Sequence, residues 1–106
     1  MKNLKAKKCD ISQKTKEIVW ERDKHRCILC GDTRAFPNAH YIPRSQGGLG
    51  IEKNVVTLCI KCHHDYDFNK AKRKEIGQKI RNYFILIYPD WDESELYFRK
   101  ENFKWT

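Results

Sequence analysis

Three features of the sequence predict a small α+β domain. Two Cys-x2-Cys pairs, Cys27–Cys30 and Cys59–Cys62, bracket the middle of the 106-residue chain. Between them lie two short segments with the residue types and alternation of β-strands, 38–42 and 54–58. Helical patterns flank this unit on both sides. A chain of this length is expected to form one domain, and so small a domain often needs a disulfide or a metal to stabilise it.

The segment before the first cysteine pair is predicted to hold a tail and a helix. Residues 1–10 are rich in lysine and are expected to form a mobile basic tail. Ser12 can cap a helix over about residues 13–24. The residues that share its inner face at helical spacing are Thr15, Ile18, Val19 and Arg22.

The segment between the cysteine pairs is predicted to form a strand, a loop and a second strand. A Phe-Pro break at 36–37 precedes the first strand, in which Asn38 and His40 share one face. Residues 43–53 contain three glycines and are predicted to form a loop. A loop of this length in a compact domain often has a function. A helical segment is expected to open at His63 after the second strand.

The C-terminal third is predicted to be helical. A helix should run over about residues 70–88 and end at Pro89. Asp92 and Glu95 have the spacing of a capping box, which predicts a last short helix to about Asn102. The longer helix carries one apolar stripe, made of Ile76, Ile80, Phe84 and Ile87.

The charge of the chain favours nucleic acid as a partner. The net charge is +8, and basic residues cluster in 2–16 and 70–81. Ordinary solubility is the alternative explanation. No apolar run is long enough to cross a membrane, and the basic start has no apolar core of a secretory signal behind it. A cytoplasmic, reducing location is therefore expected, and the odd number of five cysteines also argues against a disulfide framework.

The two cysteine pairs predict a structural zinc site. Two residues between cysteines let both sulfurs of a pair reach one ion, and zinc takes four thiolates in a tetrahedron. The alternative is four unrelated reduced cysteines. Cys9 has no partner and is interpreted as an incidental thiol. The predicted zinc ligands are Cys27, Cys30, Cys59 and Cys62.

The sequence around these pairs resembles the HNH nuclease family, which has the ββα-metal fold. The resemblance covers residues 12–69 and leaves 70–106 as a C-terminal helical extension of the same domain. It depends on three motifs in combination, because each alone is weak. The motifs are Cys27-x2-Cys30-Gly31, then Ala39-His40-x2-Pro43-Arg44 with Gly47-Gly48, and then Asn54-x4-Cys59-x2-Cys62-His63.

The resemblance implies hydrolysis of DNA phosphodiester bonds. His40 matches the general base that activates water, a task for which neutral imidazole is suited near pH 7. Asn54 matches the family asparagine, which can orient the base through backbone contacts or help to hold a metal. His63 matches a ligand of a catalytic divalent metal, Mg²⁺, Mn²⁺, Ni²⁺ or Zn²⁺. Asp67 is one helical turn further on and can share that ion.

These residues also have plainer interpretations. His40 could be an ordinary surface histidine, and His63 could be a mere neighbour of the zinc site. Asn54 could be the turn residue that opens a strand, and Asp67 could cap the next helix. His64 would point about 100° away from His63 on a helix and is the weaker candidate for a ligand.

One position departs from the family pattern. Many members carry Asp, Glu or His directly before the base, whereas this chain has Ala39. The metal would then depend on His63 and Asp67, on phosphate oxygens and water, with Asn54 as a further candidate. Asn38 shares a strand face with the base and could partly replace the missing ligand.

The expected function is that of a small metal-dependent HNH endonuclease that binds DNA mainly through its phosphates. Arg44 can contact a phosphate near the cleaved one, although it could be an ordinary loop arginine. No recognition helix is evident, so a protein partner would have to add sequence specificity. The resemblance also suggests a phage or a mobile element as the source of such a nuclease.

Two other functions remain open. A zinc-stabilised nucleic-acid-binding module without catalysis is the first, and Ala39 favours it. A protein–protein adaptor built on the C-terminal aromatics is weaker, because those side chains fit a packing role better. They are Tyr83, Phe84, Trp91, Tyr97, Phe98 and Trp105.

Overall fold

Two antiparallel strands and a set of short and long helices form the fold in this computed structural model, which describes residues 3–99. The α+β class expected from the sequence is confirmed. Three 3-10 turns lie at Arg44–Gln46, Glu52–Asn54 and Glu93–Leu96. The main elements are α1 (Leu4–Cys9), α2 (Gln13–Arg22), β1 (Ala35–His40), β2 (Val55–Cys59), α3 (Ile60–Phe68) and α4 (Lys70–Ile87).

The first strand begins earlier and ends earlier than the predicted 38–42. Phe36 pairs with Leu58 and Ala39 pairs with Val56. Between these two pairs, β1 contains one residue more than β2. This irregularity is a β-bulge, and Pro37 falls inside it. A proline has no N–H to donate to the sheet, but it is tolerated at a bulge. Strand β1 therefore continues through Pro37, and the predicted break at this residue was wrong.

The N-terminal segment is helical where a mobile tail was expected. Helix α1 is capped by Asn3, whose side chain accepts a hydrogen bond from the amide of Ala6 at 2.8 Å. The side chain of Cys9 is only 2% exposed. The amide of Gly50 donates to the carbonyl of Lys8 at 3.0 Å. This hydrogen bond attaches the segment to the loop of residues 43–53.

Helix α2 is capped as predicted but ends sooner. The side chain of Ser12 accepts a hydrogen bond from the amide of Thr15 at 3.1 Å. The helix stops at Arg22 because Lys24 and His25 adopt positive φ angles of 61° and 60°. Val19 is fully buried as expected.

One residue of the expected inner face of α2 points outward. Ile18 is 38% exposed, so its predicted burial was wrong, and Trp20 packs against the core in addition to Val19. The ring of Trp20 also stacks on that of His25 with 4.9 Å between centroids.

The apolar stripe of α4 faces the core. Ile76, Ile80 and Phe84 are buried, whereas Ile87 is only partly covered. Helix α2 packs on both strands, and α3 packs on β2 and on α4. The expected last helix is a 3-10 turn of four residues, Glu93–Leu96, capped by the side chain of Asp92. Its predicted end at Asn102 lies outside the described residues.

Four of the C-terminal aromatic residues belong to the core or pack against it, as expected, namely Tyr83, Phe84, Trp91 and Tyr97. The rings of Phe84 and Trp91 stack at 5.5 Å, and both meet Tyr41 edge-on. The indole N–H of Trp91 donates to the carbonyl of Lys53 at 2.8 Å. The aromatic rings therefore extend the core around Tyr41, and Trp105 is outside the described residues.

A buried ion pair joins α2 to β2. The Arg22 guanidinium contacts Asp23 at 2.8 Å and donates to the carbonyl of Val55 at 2.7 Å. The Asp23 carboxylate accepts hydrogen bonds from the amide of Thr57 at 2.8 Å and from the hydroxyl of Tyr83 at 2.5 Å. Burial lowers the pKa of Arg22, but the adjacent Asp23 outweighs it, so the pKa lies above the usual value.

None of the helices in the described part of the chain is both long and apolar enough to span a membrane.

The Asp23 carboxylate should be a major contributor to stability. Asp23→Ala leaves Arg22 and the Thr57 amide without their partner, and we expect the free energy of unfolding to fall by about 3 kcal/mol. Urea denaturation measures this loss. Asp90→Ala is the matched control, because Asp90 pairs with Lys53 on the surface and should change the midpoint little. Equal effects of the two substitutions would contradict the assigned role of Asp23.

Candidate metal centre and active-site cleft

The four paired cysteines converge on one point. Their sulfur atoms all lie within 4.8 Å of one another, although they come from two distant stretches of chain. The Sγ atoms of Cys30 and Cys59 are 3.6 Å apart. Four thiolates around one ion at a metal–sulfur distance of about 2.3 Å would be separated by about 3.8 Å, so the cluster can hold a metal ion.

Backbone hydrogen bonds shape each cysteine turn. The amide of Gly31 donates to the carbonyl of Cys27 at 2.9 Å, and the amide of Cys62 donates to Sγ of Cys59 at 3.4 Å. The two turns are joined to each other, because the amide of Ile28 donates to the carbonyl of Thr57 at 3.1 Å. The arrangement is thus fixed by the chain around it.

The pKa values of two thiols in the cluster are shifted in opposite directions. Burial raises the pKa of Cys62, and the neighbouring thiols raise it further. Burial also raises the pKa of Cys27, but backbone amides that donate to its sulfur outweigh this effect and leave the pKa below its usual value. A bound cation would favour ionisation of all four thiols, because its charge stabilises the thiolates together.

A second group of candidate residues lines an open cleft of about 940 Å³. His40 stands at the end of β1, and His63 and Asp67 are on α3. Arg44 belongs to the 3-10 turn that follows β1. The structure therefore brings together these four residues, which the sequence had singled out. The rim adds Asn38 and four residues from elsewhere in the chain, namely Asp10, Lys16, Lys70 and Arg73.

The proton on His40 has a defined position. Its Nε2 lies 2.8 Å from the carbonyl oxygen of Cys9, and a carbonyl can only accept a hydrogen bond. The proton of the neutral ring is therefore on Nε2, and Nδ1 keeps the basic lone pair. Burial lowers the pKa of His40, and the hydrogen bond to Cys9 offsets only part of this effect. The ring is consequently neutral near pH 7.

His63 and Asp67 form a pair one helical turn apart. Nε2 of His63 is 3.2 Å from a carboxylate oxygen of Asp67, and the side chains are 30% and 40% exposed. An imidazole and a carboxylate suit first-row divalent metals. In residues 3–99, only the four cysteines form a set of three or more potential ligand side chains close enough to share an ion. Other ligands at this pair would have to be water or substrate oxygens.

Asn54 is buried beneath the loop and bonds to its backbone. Its Oδ1 accepts from the amide of Ile42 at 2.8 Å, and its Nδ2 donates to the carbonyls of Ile42 at 3.1 Å and of Leu49 at 2.8 Å. The backbone oxygen of Asn54 also accepts from the amide of Tyr41 at 2.7 Å. All these contacts hold the two ends of the loop next to His40.

Neither Ala39 nor His64 belongs to the cleft lining. Ala39 is completely buried in the core, opposite Val56 of β2. Any larger side chain at this position would have to displace core residues. His64 is exposed, and its ring contacts Phe68 on the surface of α3.

The basic residues of the rim are held in different ways. Arg44 forms an ion pair with Asp10. Arg73 lies 4.3 Å above the ring centre of Tyr66 and donates to the carbonyl of Tyr66 at 2.6 Å.

Sequence reasoning missed Cys9 and Asp10 as neighbours of His40. The signal available was Gly50, where only a glycine admits the close approach of another backbone.

Comparisons with known proteins identify one relative. No protein-family model matches the chain, and no solved structure matches it. The chain is 31% identical over 61 residues to anaredoxin from Nostoc sp. (strain PCC 7120 / SAG 25.82 / UTEX 2576). The match covers 57% of this chain and 80% of anaredoxin. The chain therefore belongs to the same family as anaredoxin.

Proposed function

We propose that the protein is a metal-dependent endonuclease of the HNH type that hydrolyses DNA phosphodiester bonds. One observation carries the proposal: His40 lines the same cleft as the His63–Asp67 pair. The two strands, the loop and the following helix that present these residues have the order expected of a ββα-metal domain. Phosphodiester hydrolysis needs a base that activates water and a metal ion that neutralises charge. A neutral imidazole beside a pair of candidate metal ligands can supply both.

His40 would act as the general base. Its Nδ1 lone pair takes a proton from a water molecule, whose oxygen attacks the phosphorus. The bond between phosphorus and the leaving oxygen breaks, and that oxygen takes a proton from solvent. His63 and Asp67 would hold the divalent ion, which supplies charge neutralisation at the phosphate and the leaving oxygen when bound.

The rim residues would bind the DNA backbone. Lys16, Lys70 and Arg73 line the cleft and attract phosphates without regard to sequence. Arg44 is held by Asp10 at the entrance and can donate to a phosphate next to the one that is cleaved. Binding should therefore weaken steeply as the salt concentration rises.

Replacing the base should abolish most of the cleavage. In a plasmid-nicking assay with Mg²⁺, Mn²⁺, Ni²⁺ or Zn²⁺, we expect His40→Ala to be slower than the wild type by about 10²- to 10⁴-fold. His64→Ala is the control, because His64 is exposed outside the cleft and should leave the rate unchanged.

Two results of this assay would remove the nuclease proposal. One is equal cleavage by the wild type and His40→Ala, and the other is no cleavage with any of the metals. Salt-sensitive DNA binding in a silent protein would instead support a nucleic-acid-binding module without catalysis. Within residues 3–99, no third histidine, cysteine or carboxylate lies close enough to share an ion with the His63–Asp67 pair, and this observation favours the alternative.

We further propose that the cysteine cluster binds a structural zinc ion. Purified protein should contain about one zinc per chain by elemental analysis. Cys27→Ala and Cys62→Ala should lose the metal and lower the melting temperature by at least about 10 °C. Cys9→Ala should keep the metal, since Cys9 is outside the cluster. A wild-type protein that is folded and free of metal would contradict this assignment.

Electron transfer at the cysteine cluster is a second candidate function. The relationship to a protein named anaredoxin favours it, and four thiolates also suit iron. Protein expressed with iron in excess would then show reversible visible absorption of an oxidised iron–thiolate centre. Exclusive zinc content under those conditions, with no reversible redox signal, would eliminate this candidate.

A further inference from the structure

The N-terminal segment, residues 3–11, forms part of the cleft although it precedes the stretch that resembles the HNH family. Asp10 and Ile11 line the cleft together with His40. Cys9 is 2% exposed, so its side chain is inserted into the protein interior. The segment is therefore an integral wall of the cleft in this fold.

Gly50 permits the segment to lie this close to the loop. A Cβ atom built on Gly50 would be 2.0 Å from the carbonyl oxygen of Asp10 and 2.9 Å from that of Cys9. The amide of Gly50 donates to the carbonyl of Lys8 at 3.0 Å. The contact is backbone against backbone, so any side chain at position 50 would push the segment away.

The docked segment also determines which nitrogen of His40 is protonated. The carbonyl of Cys9 accepts the Nε2 proton at 2.8 Å. A neutral imidazole without this partner exchanges between two tautomers, of which only one has its lone pair on Nδ1. The orientation of the ring would also be less restricted. A partner that selects one tautomer is a common means of preparing a histidine for catalysis.

We propose that the backbone carbonyl of Cys9 positions His40 as the general base by holding its proton on Nε2. This inference rests on the proposed nuclease function. The N-terminal segment is then part of the active site, in which Asp10 orients Arg44 toward the substrate through its ion pair. The alternative role for the segment is that of a strap that blocks the cleft.

The test is Gly50→Ala in the 106-residue chain prepared with zinc. The φ angle of Gly50 lies outside the left-handed region, so alanine can adopt the local backbone and the main effect is displacement of the segment. We expect the single-turnover nicking rate to fall by on the order of 10- to 100-fold. Val19→Ala is the control for lost stability, because Val19 is fully buried in α2 and does not line the cleft.

Nitrogen-15 NMR of the histidine rings provides a readout that does not depend on activity. The protein has four histidines, and the His40 signals are those absent from His40→Ala. At a pH where the ring is neutral, the wild type and Val19→Ala should show protonated Nε2 and unprotonated Nδ1. Gly50→Ala should show the averaged signals of a tautomer mixture.

The two readouts separate the inference from the proposed function. If the wild type cleaves no DNA but Gly50→Ala shows the tautomer change, the positioning of His40 by Cys9 stands and the nuclease proposal fails. An unchanged tautomer and rate in Gly50→Ala would overturn the inference while the nuclease stands. Faster cleavage by Gly50→Ala would also overturn it, because that result belongs to a blocking strap.

Discussion

The convergence of four thiols within 4.8 Å is the constraint on which the rest of the structure depends. The first pair follows α2, and the second spans the junction of β2 with α3. Holding both pairs together fixes the register of the two strands, in which Ala35 lies opposite Cys59 and His40 opposite Val55. A domain of this size buries only a limited share of its apolar surface, so a bound cation that stabilises the thiolates would also stabilise the strand pairing.

Buried polar side chains also stabilise this small fold, because they form hydrogen bonds with buried backbone groups. Asn54 supplies hydrogen bonds to the loop backbone at Ile42 and Leu49, and Asp23 does the same for the amide of Thr57. Each of them satisfies backbone groups that would otherwise be buried without partners. The loop can thus stay irregular next to the cleft while its ends remain fixed, which is the condition for presenting His40 and Arg44 at constant positions.

Local patterns made much of this fold predictable. The Ser12 cap, the stripe of Ile76, Ile80 and Phe84, and the cysteine pairs depend on residues close in sequence. The docking of α1 depends on a contact between Lys8 and Gly50, which no periodicity reveals. The bulge around Pro37 likewise depends on the partner strand. His40, Arg44, His63 and Asp67 were predictable from local motifs, but the place of Asp10 in the cleft and the contact of His40 with Cys9 required the tertiary structure.

Helix α3 connects the two sites. Cys62 contributes to the thiol cluster, whereas the next residue, His63, lines the cleft with Asp67. Successive residues of a helix point about 100° apart, so one rigid turn serves both places. A shift of the cysteine cluster would therefore move His63 relative to His40, which is held independently by β1 and by Cys9. Because catalysis would require these two histidines to face the same phosphate, the metal at the cysteines would control the geometry of the cleft without taking part in its chemistry.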